Sequence, residues 1–292
     1  MNPHAEEQAL IGQSAEFQRV LHAANMVAAT NAAVLLSGAG GSGRERIGRE
    51  IHRLSLRRHA AYLALNCAIL EDFSQVSQAA GGTLFLGDVD QLKGQLQNDL
   101  LALLDTASLN GSALDVRIIA SAGKDMLQRV QDGEFRQDLY YRLNVVPLEV
   151  PALHERMGDI PLLLKAFVKE FAQCHGRRSP EFSVGAKNLL RDYPWPGNIR
   201  ELRNFAERMV ILLPGQTIQP ENLPLEIKMQ SSQVSNAPFQ LPEEGLDLNA
   251  LEADILRQAL SLAGGNRSKA SRLLKISRDT FLYRLQKFAL LD

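Results

Sequence analysis

The stretch Gly38-Ala-Gly-Gly-Ser-Gly-Arg-Glu-Arg-Ile-Gly48 stands at the end of the apolar run Ala33 to Ser37. Its glycines at 38, 40, 41 and 43 let the chain wrap so that backbone N–H groups and the start of the following helix point at a polyphosphate. The strict phosphate-loop pattern asks for Lys and then Ser or Thr after the last glycine. Arg44 and Glu45 stand there instead. Arginine keeps the positive charge, but its planar fork is larger than a point-like ammonium. What the loop does therefore depends on the residues around it.

The chain has 292 residues, 45% of them hydrophobic, which suffices for a sizeable core and about two domains. Lys plus Arg (32) nearly balances Asp plus Glu (33), so any polyanion-binding surface must be local. Cys67 and Cys174 match no metal spacing, and no apolar targeting segment opens the chain. A reducing cytoplasm, with no disulfide and no membrane contact, is the expectation.

Short apolar runs at Ala33 to Ser37, Tyr62 to Asn66, Thr83 to Leu86, Val116 to Ala120 and Val145 to Val150 alternate with helical stretches. This alternation predicts an α/β unit with a mostly parallel sheet over 1–150. From 151 to 228 the apolar spacing is helical and no strand is expected. Residues 229–246 are polar, carry two prolines and read as a flexible connector. An all-α unit follows over 247–292.

In that last unit Leu248, Leu251, Ile255, Ala259 and Leu262 form an apolar stripe at helical spacing, ended by Gly264-Gly265. Asn266 and Ser277 are placed to cap two short helices around the turn Lys275-Ile276. Seven basic residues (Arg267, Lys269, Arg272, Lys275, Arg278, Arg284 and Lys287) face the single acid Asp279 between Gly264 and Phe288. This is the local basic surface that phosphate contacts require. The segment GGNRSKASRLLKISRDTFLYRL resembles the Fis-type helix-turn-helix, which binds double-stranded DNA as a dimer. Motif geometry offers Arg278, Asp279, Thr280 and Tyr283 to base edges. Arg267, Lys269 and Lys287 are the candidate phosphate contacts, and Arg284 is a further candidate DNA contact.

The segments LIGQSAEF, VLLSGAGGSGRE, NCAIL, GGTLFL, DVRIIAS, FRQDLYYRLNVVPLEVPALHER and YPWPGNIRELRN occur in this order between Leu10 and Pro224. They resemble the bacterial enhancer-binding proteins, AAA+ ATPases that activate sigma-54 RNA polymerase. The resemblance implies an AAA+ parallel sheet with a helical lid. It assigns ATP to Ile11, Gly12, Gly38, Gly40, Gly41, Ser42, Gly43, Arg44, Glu45 and the lid arginine Arg200. It also implies that Arg136 and Arg142 reach a neighbouring subunit's nucleotide in a ring.

Three departures bear on catalysis. Arg44 replaces lysine, and Gly87-Asp88 stands where the family has Asp-Glu, leaving Asp88 as the candidate for Mg²⁺ or for polarising water. Ser121-Ala-Gly123 replaces a polar sensor. Because positioning and charge stabilisation supply most phosphoryl-transfer catalysis, each loss removes about 10² or more in rate. In addition, Ala68 to Ala80 replaces the long insertion with which the family pushes on sigma-54. Regulators so altered either repress or act on the ordinary polymerase.

The expected protein is a DNA-binding regulator that holds ATP without hydrolysing it. Its rivals are a working ATPase and an interaction subunit in a mixed ring with an intact family member. Arg136, Arg142 and Arg200 also have a structural alternative, since interface arginines pair with carboxylates such as Asp138 and Glu201. Trp195, between two prolines, reads as a packed corner.

Overall fold

In a computed structural model, residues 10–108, 115–233 and 247–288 are described. The expectations for 1–9 and for 234–246 of the connector lie outside them. The chain divides into two compact units, residues 1–232 and 233–292. Among the described residues no helix is long and apolar enough to cross a membrane.

The five apolar runs form strands β1 (Val34–Gly38), β2 (Tyr62–Asn66), β3 (Thr83–Gly87), β4 (Arg117–Ala122) and β5 (Val146–Val150). They pair in parallel in the order β2-β3-β4-β1-β5. Burial on both faces of a parallel sheet explains why the runs are continuously apolar rather than alternating. Successive side chains still part to opposite faces. Val34, Leu36, Phe85 and Ile119 pack with Phe17, Val20 and Ala24 of α1 (Ala15–Ala28) and Ile47 and Ile51 of α2 (Arg44–Arg53). Leu35, Leu84, Leu86 and Ala120 pack on the other face with Leu96, Leu100 and Leu104 of α3 (Gly94–Ser108). Helix α4 (Met126–Gln131) and α5 (Gln137–Leu143) complete that layer with Met126, Leu139 and Leu143.

Buried Arg117, on β4, donates to Val27 O at 2.8 Å and Ala28 O at 3.0 Å. It therefore satisfies carbonyls that the end of α1 leaves without intrahelical donors.

The lid comprises α6 (Ile160–Cys174), α7 (Val184–Asp192), α8 (Asn198–Leu212) and α9 (Leu225–Gln233) around a core that includes Phe167, Leu190, Trp195, Leu202 and Phe205. Two corrections arise here. A small parallel pair, β6 (Glu181–Phe182) with β7 (Thr217–Ile218), stands where no strand was expected, because two residues are too few to show a period. Residues 229–233, expected in the connector, are instead the last turn of α9. Trp195 is a packed corner: it is fully buried, donates its indole N–H to Leu190 O at 2.8 Å, and meets Tyr193 and Phe205 edge-on.

In the second unit α10 (Leu248–Leu262), α11 (Arg267–Leu273) and α12 (Arg278–Lys287) enclose Leu256, Ala259, Ala263, Ala270, Phe281 and Leu285. Asn266 accepts the Ser268 and Lys269 amides and Ser277 accepts that of Thr280, so both expected caps form. Gly264 and Gly265 take positive φ after α10, and Lys275 does so between α11 and α12.

Candidate functional site

Parallel pairing brings the carboxyl ends of β1, β3 and β4 to one edge, the edge where open α/β sheets bind ligands. The glycine-rich loop leaves β1 there and ends in α2. Gly41 has φ +75°, and a Cβ on it would lie 2.4 Å from Gly197 O, so this position admits only glycine. Gly43, at φ +100°, is the residue before α2, and no side chain caps the helix. The first-turn amides of α2 thus have no intrahelical acceptor. Ser42 Oγ is buried without a hydrogen-bond partner. An uncapped helix start beside an orphan hydroxyl suits a phosphate oxygen.

The loop's carbonyls are turned to the lid. Asn198 Nδ2 donates to Gly40 O at 3.0 Å, Ile199 N to Gly41 O at 3.0 Å, and Arg156 Nη2 to Ser42 O at 3.0 Å. Arg156 is buried, stacks 4.4 Å over the Phe17 ring, and has its pKa lowered by that burial. Arg46, in the first turn of α2, is likewise lowered by burial and by the Arg203 charge. Ile11, Ser42, Gly43, Arg46, Arg156, Leu163 and Ile199 line a crevice of about 10 Å³, room for about one water. Gly12 lies against Phe17, whose ring a Cβ would strike, and its carbonyl accepts from Gln18 Nε2 at 2.6 Å.

Arg44 leans across the strand ends. Its Nη2 lies 2.6 Å from Asp88 Oδ1 and its Nη1 donates to Ala122 O. Its side chain is 10% exposed, against 44% for Asp88. Asp88 itself has φ 53°, and its N–H is held by Ser121 Oγ at 3.1 Å. Glu45 is paired with Arg49 at 2.9 Å. Gly123 donates its N–H to Asp90 Oδ1 at 3.2 Å. Burial, with the Asp88 and Asp90 charges, pushes the Cys67 thiol up to about 12, so it is no thiolate. Among the described residues no cluster of three or more His, Cys, Asp or Glu is arranged to hold a metal ion.

Arg200 is exposed on α8 and faces a separate cavity of about 550 Å³ that also includes Gly40, Asn204 and Arg208. Its suggested partner Glu201 is taken by the Tyr193 hydroxyl at 3.0 Å and by Gly197 N at 2.8 Å. Arg136 pairs with Asp138 at 2.6 Å and Arg142 with Asp105 at 2.6 Å, both arginines remaining partly exposed. The β2 to β3 connection is a turn and a single 3-10 helix, Ser74–Ala79.

On the helix-turn-helix, Arg267, Lys269, Arg278, Asp279, Thr280 and Tyr283 are all exposed. Arg284 and Lys287 instead turn to α10, where Glu252 lies 2.8 Å from Arg284 Nη1 and 3.7 Å from Lys287 Nζ. The α10 stripe divides between core and surface, with Ala259 in the core. Leu248, Ile255 and Leu262 are 72%, 41% and 76% exposed, while Ala253, Leu256, Ala259 and Ala263 fill the core.

Sequence reasoning passed over Asn198, Arg156, Asp90 and Glu252. The first two lie inside the quoted segments PGNIREL and ALHER, which carried a usable signal. The other two are acids whose partners are distant in sequence.

These features define a P-loop AAA+ unit joined to a helix-turn-helix DNA reader. The sigma-54 interaction domain model matches residues 11–153, the AAA+ ATPase lid domain model 154–238, and the Fis family model of bacterial regulatory proteins 248–288. The chain is 36% identical over 311 residues to the transcriptional regulatory protein ZraR of Escherichia coli K12, covering 97% of this chain and 69% of that one. It is 34% identical to the phenol regulator MopR of Acinetobacter guillouiae, covering 96% and 56%. Among solved structures it is similar to NtrX from Brucella abortus in complex with ATP, with TM-score 0.71, 28% identity and coverage of 97% and 70%. The chain belongs to the sigma-54 interaction family of bacterial transcription regulators, with an AAA+ domain and a Fis-type helix-turn-helix.

Proposed function

We propose that this regulator binds double-stranded DNA through residues 247–292 and uses its AAA+ unit to assemble subunits and hold ATP or ADP without turnover. In this reading residues 1–150 form the α/β subdomain, 151–233 the lid and 234–246 the connector. The protein acts in the cytoplasm. The carrying observation is the Arg44 to Asp88 ion pair, which engages Oδ1 of the carboxylate that follows β3 and sets a guanidinium beside any metal or attacking water there. Gly87 and Gly123 beside it supply no side chain to orient water. The uncapped start of α2 and the orphan Ser42 hydroxyl support nucleotide binding, as does the ATP complex of NtrX.

The short β2 to β3 connection argues against activating sigma-54 polymerase by a projecting loop. Repression, or action on the ordinary polymerase, fits better. The exposed α10 stripe, with Leu248, Ile255 and Leu262 seven residues apart, supplies a face on which two copies pair as in a coiled coil. Arg136 and Arg142, partly exposed in exchangeable surface pairs, suit donation to an intact neighbour in a mixed ring. DNase footprinting on a site selected from genomic DNA tests the DNA assignment. Protection is expected from the full chain and not after removal of 247–292. Protection that survives the deletion would overturn the assignment.

A further inference from the structure

We infer that the guanidinium of Arg44 takes the place of a divalent cation in this loop, so that the AAA+ unit binds nucleoside polyphosphates without metal. This rests on the nucleotide-binding reading above. Mg²⁺ requires near-octahedral oxygen ligands, usually one or two carboxylates together with the phosphates. The residues here do not fit it. Asp88 is engaged by Arg44 at 2.6 Å, Glu45 by Arg49 at 2.9 Å, and Asp90 by Gly123 N at 3.2 Å and Gln91 Nε2 at 3.0 Å. Position 87 has no side chain, and its carbonyl already accepts from Cys67 N at 2.8 Å. A cation that bound Asp88 would also sit beside the positive charge of Arg44.

What excludes the metal supplies its charge. Arg44 opens α2 and is fixed at two points, Asp88 and Ala122 O, so it is positioned in advance of any ligand. Those contacts use two of the five N–H donors of the fork, which leaves three for phosphate oxygens. The α2 amides add further donors from the other side. Fixed guanidinium and amide donors together give a phosphate cradle its countercharge and directional bonds with no metal to recruit. Lysine cannot reproduce this, because one ammonium does not span Asp88, Ala122 O and a ligand in a planar fork.

The test is calorimetric titration of the full chain with ADP, once in excess EDTA and once in excess Mg²⁺. Wild type is expected to give dissociation constants agreeing within about twofold. Arg44→Lys, checked by circular dichroism to remain folded, is expected to weaken in EDTA by about tenfold or more and to recover with Mg²⁺, since Asp88 is then freed. Wild-type affinity about tenfold higher with Mg²⁺ would overturn the inference while leaving nucleotide binding intact. An Arg44→Lys variant indifferent to metal would also overturn it. Silence toward ADP and inorganic pyrophosphate in both buffers would overturn the nucleotide-binding reading and this inference with it.

Discussion

The guanidinium of Arg44 and the carboxylate of Asp88, 44 residues apart in sequence, meet at 2.6 Å and tie the start of α2 to the end of β3. Because Arg44 is mostly buried and Asp88 half open to water, removing the acid leaves a largely desolvated cation with Ala122 O as its remaining contact. Asp88→Ala is expected to lower stability by about 1–2 kcal/mol in urea unfolding of the AAA+ unit, more than an exposed surface pair contributes. A change within about 0.3 kcal/mol would show that the pair does not hold the strand ends together.

Glu252 holds Arg284 and Lys287 against α10. Glu252→Ala releases two cations at the edge of the reading helix. Fluorescence anisotropy on nonspecific duplex DNA is expected to show tighter binding and a salt slope steeper by about 1–2. Arg278→Ala, at an exposed position proposed to face base edges, is expected to reduce discrimination between sequences more than Lys287→Ala does. An unchanged slope in the Glu252 variant would place both cations away from DNA.

Leu248, Ile255 and Leu262 lie on the open face of α10, so charging them does not disturb the core built from Leu256, Phe281 and Leu285. Ile255→Asp with Leu262→Asp is expected to lower the sedimentation mass of the assembled protein while helix content by circular dichroism holds. An unaltered mass would remove this stripe from the assembly interface.

His52 is buried, with Nδ1 2.9 Å from Thr83 Oγ1, and burial followed by the Arg117 and Arg49 charges lowers its pKa. The unfolded chain then binds more protons below the ordinary histidine range, near pH 6.5. The neutral, buried form therefore stabilises the fold fully above about pH 6.5, and this contribution is lost as pH falls toward the lowered pKa, with a slope of at most about 1.4 kcal/mol per pH unit. Urea midpoints between pH 7.5 and 5 are expected to fall more steeply for wild type than for His52→Gln. Equal slopes would assign the acid sensitivity elsewhere.

The parallel sheet was legible because both faces are buried: runs such as Val34 to Leu36 and Leu84 to Leu86 admit no polar residue, and both strands end in glycine. The caps at Asn266 and Ser277 were legible because capping is local. By contrast, the Arg44 to Asp88 pair joins the start of α2 to the end of β3, and a sequence read linearly yields only two separate substitutions. The α10 stripe was legible as apolar, but what covers it was not, for a related reason. Helical spacing shows that one face is apolar, and it does not say whether the chain itself or another copy covers that face. The closed crevice at Ile11 depends on Arg156 and Ile199 arriving from the lid, contacts with no local signature.

The central claim is that this AAA+ unit holds nucleotide without hydrolysing it, and steady-state phosphate release tests it most directly. Full-length protein is to be assayed with ATP and Mg²⁺, with and without bound DNA, beside Asp88→Ala. The expected result is release at buffer background in every case, since Gly87 and Gly123 offer no side chain and Asp88 is held by Arg44. Sustained turnover by wild type, abolished by Asp88→Ala, would contradict it and make the protein a working ATPase.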